Sequence, residues 1–255
     1  MRWARIAPEV FIVALLALVI CGCSNGTSGS TAALASSAVE STAADSVRSP
    51  SGRTADVVTV AIVGDSYTSG SDVGGNGAAN WTAVARGLLD ADGYPVELAV
   101  LGLSGSGYVR VGGTGMTFTD GVTEVVNDMT QLVVVFGSIN DGSSAPAEVA
   151  KSAALALRRI DRAAPQAVII IIGPQWIDGN PPENMLAIRD AVASAATIHP
   201  RVTFVDPLAE GWFGGASSSL IGSDGLHPTD AGHRHLAELI APRIAGAIDT
   251  IRGAS

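Results

Sequence analysis

The chain has 255 residues, 47% of them hydrophobic, and a formal net charge of −9. That is enough apolar material for a full core, and an acidic balance with no run of Lys and Arg excludes a duplex-binding surface, which must replace counterions with clustered cations. Docking on anionic membrane surfaces is disfavoured on the same ground.

Residues 1–23 read as a signal peptide. Arg2 and Arg5 precede an apolar stretch from Phe11 to Ile20, shorter than the ~20 residues of a spanning helix, and Cys21-Gly22-Cys23 forms a small-residue exit. Ile20-Cys21-Gly22-Cys23 also resembles a bacterial lipobox, which implies Cys23 as the lipidated first residue of the mature protein; an ordinary secretory cut is the alternative. The expected location is therefore outside the cytoplasm, either as an outward-facing membrane lipoprotein or secreted, with the lipid anchor as the only expected contact with a membrane. Both cysteines lie in this segment, so the expected domain folds without a disulfide. Residues 24–56 are rich in Ser, Ala, Thr and Gly, lack aromatic residues and show no sustained period, and read as a flexible tether.

The domain is expected over residues 57–255. Val57 to Val63 is a largely β-branched run, as in a strand buried on both faces, and it stops at Gly64-Asp65-Ser66. Open parallel sheets place their ligand crevice at the carboxyl ends of strands, so Ser66 is a candidate nucleophile; the competing reading is a serine that caps the next helix. Asn80 to Asp90 puts Trp81, Val84, Ala85, Leu88 and Leu89 on one helical face and stops at Asp92-Gly93. Val96 to Leu101, Leu132 to Phe136, Ala167 to Ile172 and Val202 to Val205 are the further strands. Pro146 to Ala164 and Pro182 to Ile198 are helices with Pro in the first turn. Gly112 to Gly115 lacks the Gly-Lys-Ser/Thr of a phosphate loop, which argues against nucleotide binding and for a mobile loop near the site. Trp176, after the fourth strand, is a candidate for lining a substrate pocket, or a packing tryptophan. A last helix from about Thr229 to Ile251 is expected to kink or divide at Pro242. Strands alternating with helices predict an α/β fold with a parallel sheet covered on both faces.

Before the last helix, Gly222 to His233 reads GSDGLHPTDAGH. A serine hydroxyl needs a base to accept its proton, and the base needs a partner that fixes its tautomer. Asp224 and His227, three residues apart in one loop, can supply both. Asp230 and His233 repeat the spacing, but Thr229 and Asp230 suit helix capping. A zinc site from Asp224, His227 and His233 would leave Ser66 without a role. His199, in a Pro-Arg turn, reads as structural.

Gly-Asp-Ser-Tyr at the first strand with Asp-Gly-Leu-His-Pro before the last helix resembles the SGNH hydrolases, the GDSL-type esterases and lipases, here an exported, actinobacterial-like member. The resemblance runs from about Val57 to the C-terminus. It implies a three-layer α/β/α sandwich with a five-stranded parallel sheet in flavodoxin-like order 2-1-3-4-5. It also implies Ser66, Asp224 and His227 as catalytic residues. The second block, GLSGSG after Val96 to Leu101, places Gly105 at the oxyanion glycine, and the third, GSIND after Leu132 to Phe136, places Asn140 at the oxyanion amide, with the Ser66 N–H as the third donor. Val100 stands where the family commonly has asparagine, and two residues rather than one separate Gly137 from Asn140. The implied activity is hydrolysis of carboxylic esters through an acyl-enzyme, with no cofactor and no metal, by a monomer acting on a small-molecule or glycan ester. Only five Phe and three Tyr are present, which favours short acyl or acetyl groups. An acyltransferase with the same residues and a non-catalytic lipoprotein that binds cell-wall glycan are the alternatives. The unrelated α/β-hydrolase reading requires Gly-x-Ser-x-Gly, and Thr68 occupies its last position.

If Cys23 carries a lipid, the wild-type protein fractionates with the membrane and Cys23→Ser is exported but released. A wild type free in the medium, or a variant that stays in the membrane fraction, contradicts the anchor.

Overall fold

In the computed structural model, residues 56–215 and 219–254 are described; the expected signal peptide with Cys23, and all but the last residue of the expected tether, lie outside the described residues. The apolar runs form five parallel strands: β1 Val58–Gly64, β2 Val96–Gly102, β3 Leu132–Phe136, β4 Val168–Ile172 and β5 Val202–Val205, in the order β2-β1-β3-β4-β5. Each expected strand is present within about two residues at either end. Ile62 pairs with Val134, and Val134 with Ile170, so side chains of three central strands line up in rows across the sheet.

The period of two along a strand then sorts these residues onto two faces. Ala61, Val63, Val133, Val135, Ile169 and Ile171 pack beneath α3 (Phe118–Val125), α4 (Pro146–Ala163) and α5 (Glu183–Thr197). Val60, Ile62, Val134, Phe136, Ile170 and Ile172 face α2 (Trp81–Ala91) and α6 (Asp230–Gly253). Both faces are covered, which is the three-layer arrangement. Burying a Val or Ile side chain contributes on the order of 1.5–3 kcal/mol, so the rows fix the register of β1, β3 and β4 firmly. The edge strand β2 carries less of this constraint: Glu97, Ala99 and Val100 are exposed.

Three expectations are corrected. No helix was expected between β2 and β3, yet α3 lies there. Its start is written in the sequence as Thr117-Phe118-Thr119-Asp120, a capping box in which the Thr117 hydroxyl accepts from the Asp120 N–H and the Asp120 carboxylate accepts from the Thr117 N–H. Leu88, expected on the buried face of α2, is exposed, and Thr82 is buried instead. Of the two outcomes expected at Pro242, division does not occur: the last helix runs without interruption from Asp230 to Gly253. Pro242 and Glu238, four residues before it, are both on the solvent side, so the carbonyl deprived of its N–H partner faces water.

Candidate active site

β1 ends at Gly64, and a single turn of helix, α1 (Ser66–Ser69), follows. The residue that caps this turn is Asp65, whose Oδ1 accepts from the Tyr67 N–H at 2.9 Å. Ser66 is thus relieved of the capping role, and it stands just beyond the carboxyl end of β1. Ser66 itself is largely buried and Asp65 wholly so.

The loop before α6 brings Asp224 and His227 together. Asp224 Oδ1 accepts from the N–H groups of Leu226 and His227, both at 3.0 Å, and its Oδ2 lies 2.7 Å from His227 Nδ1. With Nδ1 engaged by the carboxylate, Nε2 is the ring nitrogen left to face a reactant. The hydrogen bond to His227, then the two backbone donors, pull the Asp224 carboxyl down to about 2, so it is ionised at any working pH. One further contact joins this loop to the turn of Ser66: the Tyr67 hydroxyl donates to the Leu226 carbonyl at 2.7 Å. Ser66 precedes Tyr67 and His227 follows Leu226, so the two chains meet one residue from each member of the pair.

Gly105 follows β2 with φ +75, a left-handed conformation that glycine adopts at no steric cost. Among the described residues, neither its N–H nor that of Ser66 donates to a protein acceptor. Asn140 sits in a 3-10 turn, Ile139–Ser143, after β3. Its Nδ2 donates to the Ser106 carbonyl at 2.9 Å and lies 3.5 Å from Asp65 Oδ2, which ties the amide to the residue after Gly105.

Asp141 is a site residue that the sequence reading did not single out. Fully buried, it accepts from the N–H groups of Tyr108 at 2.6 Å, Val109 at 3.1 Å and Arg110 at 2.8 Å, and from the Ser138 hydroxyl at 2.5 Å. It therefore fastens the chain after Gly105 to the chain that bears Asn140. Ser106 Oγ, which donates to the Met116 carbonyl at 2.8 Å and accepts from the Gly112 N–H at 3.1 Å, fastens the Gly112 to Gly115 segment in the same way.

The look-alike pair does something else. Asp230 Oδ1 accepts from the Gly75 N–H at 2.9 Å, while His233 Nδ1 accepts from the Trp81 N–H at 3.3 Å. The helix cap is Thr229, which accepts from the Gly232 N–H at 3.1 Å. His233 is fully buried against Gly75, where a Cβ would lie 2.0 Å from Nε2, and burial pushes its pKa down to about 4. His199 pairs with Asp161 at 2.6 Å. Among the described residues, no group of three or more His, Cys, Asp or Glu is placed to hold a metal ion. Trp176 is partly buried against the α4 and α5 side of the core and lines a cleft of about 330 Å³ with Pro207, Trp212 and Phe213.

Residues 62–235 match the model of the GDSL-like lipase/acylhydrolase family. The chain belongs to that family. GDSL lipase Rv0518 of Mycobacterium tuberculosis (strain ATCC 25618 / H37Rv) is 40% identical over 189 residues, which make up 73% of this chain and 81% of that protein. In fold, this GDSL-family hydrolase resembles a family two carbohydrate esterase from Clostridium thermocellum solved in complex with cellohexaose (TM-score 0.60, 17% identity, 75% of this chain and 65% of that one). It also resembles the lipase/acylhydrolase from Enterococcus faecalis (TM-score 0.58, 19% identity, 74% of this chain and 96% of that one). As a GDSL-family enzyme it is an ester hydrolase of the serine type.

Two buried groups in this GDSL hydrolase give opposite dependences of stability on pH. Burial raises the Asp65 carboxyl from 3.8 to about 7, against the lowering pull of the Tyr67 N–H and the His227 charge. Between those values the folded state holds a proton that the unfolded state has lost, so stability falls as pH rises. His233 is depressed from 6.5 to about 4, so over that span the unfolded state binds the extra proton and stability falls as pH drops. Urea unfolding across pH 4 to 7 is expected to show the stability advantage of wild type over Asp65→Asn shrinking as pH rises. The advantage over His233→Asn is expected to grow. Two parallel curves would contradict both assignments.

Proposed function

We propose that Ser66 is the nucleophile of this ester hydrolase, with His227 as its general base and Asp224 as the group that holds the imidazole. The observation that carries the proposal is the Asp224–His227 pair, built at 2.7 Å in a loop that Tyr67 fastens to the turn of Ser66. Ser66 Oγ attacks the ester carbonyl carbon as its proton passes to His227 Nε2. The tetrahedral intermediate then collapses, the C–O bond to the alcohol breaks, and the imidazolium returns the proton to the departing oxygen. Water repeats the sequence on the acyl-enzyme and releases the acid. The oxyanion accepts from the Ser66 and Gly105 N–H groups and from the Asn140 amide, donors held by the fold before charge develops. The two backbone donors have no competing protein acceptor among the described residues.

The cleft at Trp176 is the proposed seat of the acyl or alcohol group. Phe213 in its wall packs edge-on against the ring of Tyr67, the residue after Ser66, and the small number of Phe and Tyr residues in the chain favours small esters such as acetyl or other short acyl groups.

Hydrolysis of p-nitrophenyl esters of increasing acyl length tests the reading. Ser66→Ala is expected to lose the activity with the fold intact, and His227→Ala with it, whereas His233→Ala loses stability and keeps turnover per folded molecule. Asp224→Asn keeps the geometry but supports the wrong tautomer, a change that costs on the order of 10⁴ in rate in the chymotrypsin-type example. EDTA should leave the rate unchanged. A Ser66→Ala enzyme that turns over normally, or an active His227→Ala beside a folded but inactive His233→Ala, would contradict the assignment. Products analysed with and without an added alcohol distinguish water from an alcohol as the acyl acceptor.

A further inference from the structure

We propose that the Tyr67 hydroxyl is a positioning group for the reaction: it holds the loop that bears His227 at the height of Ser66. This rests on the Ser66, His227 and Asp224 assignment above. Within 222–227 the other hydrogen bonds are local. Gly222 donates to the His227 carbonyl at 2.8 Å, Gly225 donates to Gly222 at 3.0 Å, and the remainder run between Asp224 and residues 226 and 227. Those contacts shape the loop and orient the imidazole within it, but none sets where the loop stands relative to β1. Among the described residues, the bond from Tyr67 to Leu226 is the only hydrogen bond from 222–227 to another element.

The donor is itself fixed. The Tyr67 ring is fully buried, edge-on to Phe136 at 6.3 Å and to Phe213 at 6.0 Å between centroids. Both contacts are near perpendicular, the arrangement that aromatic pairs favour. The ring cannot swing without disturbing two buried neighbours, so its oxygen occupies one place. Burial also pushes the phenol pKa above its ordinary value, so the hydroxyl keeps its proton and remains a donor. The backbone N–H of the same residue is held by Asp65. One residue thus connects three things: the cap of the nucleophile's turn, the aromatic core beside the sheet, and the loop of the base. Since Leu226 adjoins His227, a shift of its carbonyl moves the imidazole, and a misplacement of ~1 Å in a reacting pair can cost about 10²-fold in rate.

Tyr67→Phe removes the hydroxyl and keeps the ring. With p-nitrophenyl acetate, kcat per folded molecule is expected to fall about 10- to 100-fold with KM nearly unchanged, as for loss of geometry at the transition state rather than loss of substrate binding. The rate of labelling by a fluorophosphonate should fall in parallel. Tyr67→Phe and Asp224→Asn act on the same imidazole, so their combined loss in kcat should be smaller than the product of the single losses. A merely structural hydroxyl would lower the melting temperature and leave kcat per folded molecule at the wild-type value, and that result overturns the proposal, as does full multiplicativity of the two losses. If Tyr67→Phe does not fold, Tyr67→Met, whose flexible side chain fills a buried gap, is read by the same criteria. Ser66→Ala serves as the control. An inactive Ser66→Ala beside a fully active Tyr67→Phe removes the positioning role alone, while an active Ser66→Ala removes the triad on which it rests.

Discussion

Where β1 ends decides where everything at the crevice stands. Its side chains from Val60 to Val63 are packed from both faces of the sheet, so the strand can neither slide by a residue nor tilt without exposing a row of Val and Ile. The chain leaves the sheet at Gly64, turns at Asp65 and presents Ser66 at a height set by the core. The other site elements are referred to that point by hydrogen bonds: Asn140 through Asp65 and Ser106, and the Asp224 to His227 loop through Tyr67. The site is a set of loops hung from one immobile strand end.

Its electrostatics follow from solvent and donors more than from residue type. Asp65 and Asp224 are both aspartates near His227, yet one is raised and the other lowered. Asp224 sits near water with three N–H donors around it, counting the imidazole, and stays ionised. Asp65 is enclosed, with the Tyr67 N–H as its main donor, and burial outweighs that bond. In the proposed mechanism an imidazolium at His227 therefore has a charged partner, Asp224, on its Nδ1 side, with the buried Asp65 carboxyl next to Ser66 in the chain. His233, with the same spacing from an acid as His227, is kept neutral by its burial.

Much of this was legible in the sequence, and the parts that were not share a physical reason. The central strands could be read because burial on both faces demands unbroken β-branched runs. The helix α4 announced itself by Pro146 in its first turn and α5 by Pro182, which stands at its N-cap. Ser66, Asp224 and His227 stood in short motifs at strand and helix ends, where a local pattern suffices. By contrast, α3 spans eight residues, too few for a period to emerge from the Gly-rich segment before it, and only its capping box marks it. Asp141 could not be recognised because three of its four partners are backbone N–H groups more than thirty residues away, which have no sequence signature. His227 was preferred to His233 on the DGLHP motif and on the capping residues Thr229 and Asp230, whereas the burial of His233 is a property of the packed fold that the shared Asp-x-x-His spacing does not carry. Tyr67 reads as one more apolar residue after Ser66 until its hydroxyl is seen to reach Leu226.

The most direct test of the account is a crystal structure of the enzyme after reaction with a small alkyl fluorophosphonate, a stable mimic of the tetrahedral intermediate. The account predicts phosphorus bonded to Ser66 Oγ and a phosphoryl oxygen about 2.7–3.1 Å from the N–H groups of Ser66 and Gly105 and from Asn140 Nδ2, with His227 Nε2 turned towards the bound ester oxygen. Phosphorus on another residue, or a phosphoryl oxygen turned away from all three donors, would contradict it.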